Sequence, residues 1–305
     1  MTFWLPSHRE RSDVYQSELD KQRESAIWFR RQTGGKNSLS QLGGLPSLPP
    51  NIKWPQQHQS GTPLHFLAQI DLSQLPPTPL KGSNTPALPD HGLLLFFADM
   101  VEEMLWGENG GPFAATRVIS VSQAGPERPI PEDIPAILHA FGERGGGYDT
   151  GISLFPRVCL ESYKIQTFAG IEPDPYPEHR YSEEALAAMV ESIERVGGPI
   201  PVLTGEEAWN ASDSSTGPYI RELTFADGSV RRELHCPLHQ MFGHGKNIQG
   251  TAREDGNILL LQIDTDRSVH EHFMFCDMGV AQFWIKPADL AAGKFENAWG
   301  TTEGG

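Results

Sequence analysis

The chain has 305 residues, with 39 acidic against 24 basic side chains, a formal net charge of −15 and 38% hydrophobic residues, among them 15 Phe and 7 Trp. That apolar content excludes global disorder, and the charge repels polyanions and anionic membrane surfaces, so neither nucleic acid nor membrane is an expected partner. At about 150 residues per domain the length suits two domains or one large duplicated one, while 31 Gly and 25 Pro between short apolar runs predict many turns and short strands.

Met1–Glu10 lacks the basic start and apolar run of a signal peptide. The longest apolar runs, such as Gly92–Ala98, fall far below the ~20 residues that span a bilayer. Cys159, Cys236 and Cys276 are odd in number and widely spaced, which predicts reduced thiols and a cytoplasmic location. From Ser12 to Arg31 a loose helical pattern stops before Gly34-Gly35 and predicts an N-terminal helix. Gly43–Pro55 follows as a rigid, proline-rich loop carrying Trp54.

The first predicted strand sets Leu64, Phe66, Ala68 and Ile70 on one face and Leu67, Gln69 and Asp71 on the other. A covered Gln69 needs partners for its carbonyl and its amide hydrogens. Asp71, just before Ser73, is placed to cap a tight turn. Pro76–Pro89 holds five prolines and reads as an exposed loop, and the unbroken apolar run Leu93–Ala98 reads as a strand buried on both faces. Thr116–Val121 alternates as a strand, Pro131–Phe141 predicts a short helix, and the glycines at 145–147 place a boundary within 142–150. Ser153–Phe168 reads as one or two strands and Ser182–Val196 as an amphipathic helix ended by Gly197-Gly198-Pro199. Asp227-Gly228 signals a hairpin, and a short helix is predicted near Pro287–Ala292.

Pro63–Leu72 and His91–Asp99 return in diluted form as Ile258–Asp266 and Met278–Ile285. Aligning Gln69 on Gln262 sets Asp71 on Asp264 and Phe96 on Phe283. The expectation is an α+β fold, mainly antiparallel sheet, with an internal duplication into two pseudo-repeats and a few short helices. Its divisions are an N-terminal helical segment 1–35, a first β-rich half 36–145 and a second 146–305, packed as one compact unit.

Gly43-Gly44-Leu45-Pro46, Pro49, Trp54-Pro55, Phe66–Asp71, Pro89, Gly92 and Phe96-Phe97, with His239, Gly243, Gln249, Leu260–Asp264, Asp277, Gly279 and Asp289-Leu290, form a string that resembles the YwqG-like family of bacterial proteins. Cys276, His244 and the stretch Asp149–Gly198 depart from that pattern. The resemblance implies the duplicated α+β fold and brings no established activity, substrate or cofactor. Some relatives stand beside bacterial toxin and immunity systems, which implies an interaction role.

Catalytic spacing is missing from the chain. His235, Cys236, His239 and His244, with His270, His272 and Cys276 further on, match no closed zinc site, and no metal or other cofactor is expected. Asp264-Thr-Asp266 reads as an Asx-type turn before it reads as a magnesium site. Gly243-His-Gly245-Lys246 fails as a phosphate loop because Gln240 stands where the first glycine belongs. Trp54, Gln69, His239, Gln262, Asp264 and Asp277 remain as ligand-binding candidates, with Gln69 and Gln262 expected to flank a cleft between halves. The leading expectation is a non-catalytic module for a protein or a small molecule, of no specified oligomeric state. A hydrolase-like enzyme using His239, Asp264 and Asp277 is the alternative, and a toxin-neutralising protein whose acidity complements a basic toxin is the third.

Overall fold

The computed structural model describes residues 2–4, 20–21, 23–32, 38–77, 88–101, 115–139, 148–168, 180–204, 207, 218–228, 230–235, 239–246, 256–276 and 279–304. In chain order the strands are β1 (Thr2–Trp4), β2 (Arg23–Arg31), β3 (Gln41–Leu42), β4 (His65–Asp71), β5 (Leu93–Ala98), β6 (Thr116–Val121), β7 (Leu138–His139) and β8 (Tyr148–Asp149). They continue with β9 (Val158–Phe168), β10 (Val202–Thr204), β11 (Tyr219–Thr224), β12 (Val230–His235), β13 (His239–Met241), β14 (Ile258–Asp264), β15 (Val280–Ile285) and β16 (Trp299–Glu303). Two α-helices have their full extent described, α1 (Arg180–Gly197) and α2 (Pro287–Ala291).

Ten strands form one sheet in the order β16-β15-β14-β13-β2-β9-β3-β4-β5-β6, every neighbouring pair antiparallel. The sheet curls until its edges meet: the Gly300 N–H donates to Thr116 Oγ1 at 2.9 Å, joining β16 to β6 in a nearly closed barrel. A Cβ on Gly300 would lie 2.5 Å from Thr116 Cγ2, so that approach requires glycine. Small sheets β1-β12-β11-β10 and β7-β8 complete the described strands.

Alternation divides each strand between two faces. Ile27, Phe29, Ala68, Ile70, Phe96, Ile263 and Phe283 point inward to the main core, where Phe96 and Phe283 meet edge-to-face at 5.1 Å. The outer face is covered in patches. Helix α1 lays Ala188, Met189 and Ile193 over Ala26, Trp28 and Ile165, and the proline-rich segment lays Leu48 and Trp54 over Leu64, Phe66, Leu95 and Phe97. This double cover is why β5 is apolar without a break.

The structure corrects the fold expectation. The chain is mostly antiparallel β rather than α+β, and an internal duplication is not shown. The two glutamine-bearing segments are arms of one ten-stranded sheet, with β13, β2, β9 and β3 between β14 and β4. The predicted N-terminal helix is also overturned over residues 23–31, which form β2, paired along their length with β9, while residues 20–21 are helical. Ser25–Phe29 are buried on both faces, which erases the period-two signal that would have marked a strand. The helix expected at 131–141 is absent over 131–139. There Ile137 exchanges hydrogen bonds with Ile152 and Thr150, and the extended pairing prevails. The long helix, the Asp-Gly hairpin and the short helix near 287 occur as predicted.

Candidate functional site

Two irregular loops on the outer face of the sheet are held by buried glutamines. In the loop at 38–47, Gln41 Nε2 donates to the carbonyls of Gly43 (2.8 Å) and Leu45 (3.1 Å). Gln69, paired with Gln41 across β3–β4, accepts the Ser47 N–H through Oε1 at 2.8 Å and donates through Nε2 to Leu39 O at 2.8 Å. Ser40 Oγ accepts the Asp71 N–H at 2.9 Å. Gly43 and Gly44 take φ of 57° and 70°, and a Cβ on Gly43 would lie 2.3 Å from Pro156 O, so side chains are excluded there.

The loop at 239–246 repeats this bonding with different side chains. Gln240 Nε2 donates to the carbonyls of Phe242 and His244, each at 2.9 Å. Gln262 Oε1 accepts the Lys246 N–H at 2.8 Å and the Gln282 amide at 3.0 Å, and Gln282 Nε2 also donates to Lys246 O at 2.6 Å. Gln240, Gln262 and Gln282 stand opposite one another across β13, β14 and β15, forming a single row. Phe242 and Gly243 take φ of 62° and 67°. The Phe242 side chain is buried in the main core, and that burial offsets the cost of the left-handed backbone.

Charge seals this second loop. Lys246 Nζ pairs with Asp264 Oδ2, the two side chains being 3% and 1% exposed. His239 Nδ1 accepts the Asp264 N–H at 3.1 Å, so its ring proton sits on Nε2, which donates to Asp266 Oδ2 at 3.1 Å. Burial by itself would raise the Asp266 carboxyl, but bonds from His239 and Ser268 outweigh it and hold the group below its ordinary value. A buried pair of this kind is costly to open, because either partner left alone is an uncompensated charge. The arrangement fixes backbone shape, and each of its acid–base groups is engaged with another.

The structure brings His239, Gln262 and Asp264 together and places Trp54 and Gln69 on the other arm of the sheet. Trp54 is half-buried, donates from Nε1 to Leu64 O at 2.9 Å and stands edge-on to Phe97. Gln69 and Gln262 both point outward on separate arms, each closed within its own loop, and they do not meet. Asp277 and Cys236 lie outside the described residues. Asp264-Thr-Asp266 splits into an ion-pair partner and a turn former, with Asp266 Oδ1 accepting the Ser268 N–H and hydroxyl. His270 lies at a tilt to the rings of Phe155 and His272, and His244 Nε2 lies 3.8 Å from Glu24. Among the described residues no three His, Cys, Asp or Glu side chains gather as metal ligands. Sequence reasoning missed Gln41, Gln240, Gln282 and Lys246. The recoverable signal was a glutamine two residues ahead of a left-handed pair, in Gln41-Leu-Gly-Gly and again in Gln240-Met-Phe-Gly.

Among the described residues no helix is long and apolar enough to cross a membrane. No curated protein matches the chain. The profile of the family described as "Domain of unknown function (DUF1963)" matches residues 40–303, from the first loop to the end of β16, and the chain belongs to that family.

Proposed function

We propose that this is a cytoplasmic, non-catalytic binding module that recognises a protein or small molecule through irregular backbone preset by buried glutamines. The observation that carries the reading is the shared use of Gln41, Gln69, Gln240, Gln262 and Gln282, all at most 1% exposed, to hold loop backbone. Burying an amide is unfavourable unless its bonds are made, and the bonds these amides make go chiefly to loop N–H and C=O groups, while Gln240 Oε1 and Gln282 Oε1 are buried without a partner among the described residues. A loop fixed before binding spares the ordering cost that otherwise weakens recognition. His239, Asp264, Asp266 and Lys246 support the same reading, since each is spent on a structural partner. The narrower kinship with YwqG-like proteins rests on Gly43–Pro46, Trp54-Pro55 and Phe66–Asp71. A toxin-neutralising role is a special case favoured by the −15 charge.

Affinity capture from the native host, followed by native mass spectrometry, tests the proposal. The wild type is expected to retain a defined ligand or partner, and Gln262→Ala to release it at a temperature where the variant is still folded. Turnover in an activity screen that His239→Ala abolishes would instead establish the enzyme alternative.

A further inference from the structure

Strand β9 has one edge filled along its length and one filled only at its ends. Residues Leu160–Phe168 pair with β2, but on the other side β3 offers just Gln41 and Leu42, opposite Cys159 and Val158. Every second residue of an antiparallel strand turns its N–H and C=O to the same neighbour. Cys159 O accepts the Gln32 N–H at 2.8 Å, so the odd-numbered residues of β9 face β2. The Leu160 N–H donates to Ser40 O at 2.8 Å, so the even-numbered ones face the side of β3.

Past Leu160 that second edge loses its strand. Ser38 is tied elsewhere, its hydroxyl donating to Gln74 Oε1 at 2.8 Å and its carbonyl accepting from Arg157 Nη2 at 3.2 Å. At the far end α1 closes the edge, where Ser192 Oγ lies 3.2 Å from both the N and the O of Gln166. Between these caps the backbone N–H and C=O groups of Ser162 and Lys164 have no hydrogen-bond partner among the described residues, although the Ser162 hydroxyl donates to Gln74 O at 2.9 Å. Both residues are half-buried, which leaves those groups to water. Lys164, opposite Ile27 on β2, also has no carboxylate beside it among the described residues.

We propose that this edge of β9 receives an extended segment of a partner protein as an added strand, with an Asp or Glu of that segment set against Lys164. Strand addition draws its affinity from main-chain bonds and its selectivity from side chains at alternate positions. Ser162 and Lys164 offer two donors and two acceptors. Leu160 to Gln166 spans ~20 Å at ~3.3 Å per residue, room for about five residues between the caps. A carboxylate across from Lys164 gives the added strand a favourable cross-strand pair. A second copy of the chain fits less well, because a two-fold pairing about Tyr163 would set Lys164 against Ser162, supply no carboxylate and bring together two charges of −15. The edge groups belong to β9 and to neither glutamine-held loop, so this site stands or falls apart from the binding role proposed for them.

The test is amide hydrogen exchange, read by nitrogen-15 NMR of the full chain, with three capped peptides as probes: Thr-Val-Glu-Val-Thr, Thr-Val-Lys-Val-Thr and Thr-Pro-Glu-Pro-Thr, whose prolines cannot pair. In the protein alone, the Ser162 and Lys164 amides should exchange as open chain does, while those of Glu161 and Tyr163, turned to β2, stay protected. The first peptide should slow exchange at Ser162 and Lys164 saturably, and the proline peptide should not. Lys164→Glu should weaken the first peptide by about threefold or more and favour the second. Protection of Ser162 and Lys164 before any peptide is added would overturn the assignment, since the chain or a second copy would then already fill the edge. No saturable protection would overturn it too, leaving Lys164 as a guard against pairing. Equal protection by the proline peptide, or a folded Lys164→Glu with unchanged preference, would likewise contradict it.

Discussion

The loops at 38–47 and 239–246 fix their backbones by the same bonds and close them with opposite chemistry. Around Gln69 the closing groups are neutral: Ser40, Ser47 and, opposite on β5, Leu95. Around Gln262 they are ionic or amide: His239, Lys246 on Asp264, and Gln282 opposite on β15. The glycine pair Gly43-Gly44 fits under the Pro156 carbonyl, whereas Phe242-Gly243 sends an aromatic ring into the core from the same left-handed backbone. The lesson is that loop shape resides in the glutamine-to-backbone bonds, and the closing residues set how sharply it fails. A neutral seal loses one modest hydrogen bond at a time, while an ionic seal loses a compensated charge at once.

The largest expected effect lies in the ionic loop. Asp264→Ala strands the Lys246 ammonium in a buried site and should cost ~3–5 kcal/mol in denaturant unfolding, against ~1 kcal/mol for Ser47→Ala in the neutral loop, which removes the hydroxyl that accepts from Gln69 Nε2 at 3.2 Å. Replacing the pair together, Lys246→Met with Asp264→Leu, should recover most of the loss. Equal costs for the two single changes would break the contrast. Next in size is Gly43→Ala, which combines the 2.3 Å approach to Pro156 O with a φ of +57° and should lower stability by ~1–3 kcal/mol. An unchanged melting temperature would show that the first loop can shift.

The smallest effect is one of pH. Burial lowers the affinity of His65 for a proton below the ordinary value of 6.5, and the neutral ring donates from Nε2 to Pro135 O while accepting the Met100 N–H. The unfolded chain therefore binds a proton first as pH falls, so the stability from neutral His65 is complete above 6.5 and declines below it. Asp266 works at lower pH. Its folded carboxyl titrates below 3.8, so its contribution is complete above that value and is lost as pH falls through the lowered one. Unfolding between pH 7 and 4 should show the His65 slope, and a His65→Gln variant should flatten it.

What could be read from the sequence was what depends on near neighbours. The double-sided apolar run of β5, the alternation of β6, the Asp-Gly hairpin and the Asp71 turn onto Ser73 are local signals, and they hold. The need of Gln69 for partners was also legible, but their identity was not, because Ser47 and Leu39 reach it only after a loop folds back over the sheet. Lys246 figured in the sequence only as the end of a failed phosphate-loop motif, and its partner became visible when β14 brought Asp264 beside it. Over residues 23–31 the helix-like spacing misled because β2 is covered by α1 on one side and by the core on the other.

The central claim is that buried glutamines hold both loops in one shape before anything binds. Native-state hydrogen exchange at the Ser47 and Lys246 amides tests it most directly, since each N–H is donated to a glutamine oxygen at 2.8 Å. Protection at both amides close to that of the central strands is predicted, with selective loss at Lys246 in Gln262→Ala and at Ser47 in Gln69→Ala. Exchange at rates typical of open surface loops in the wild type would contradict the account.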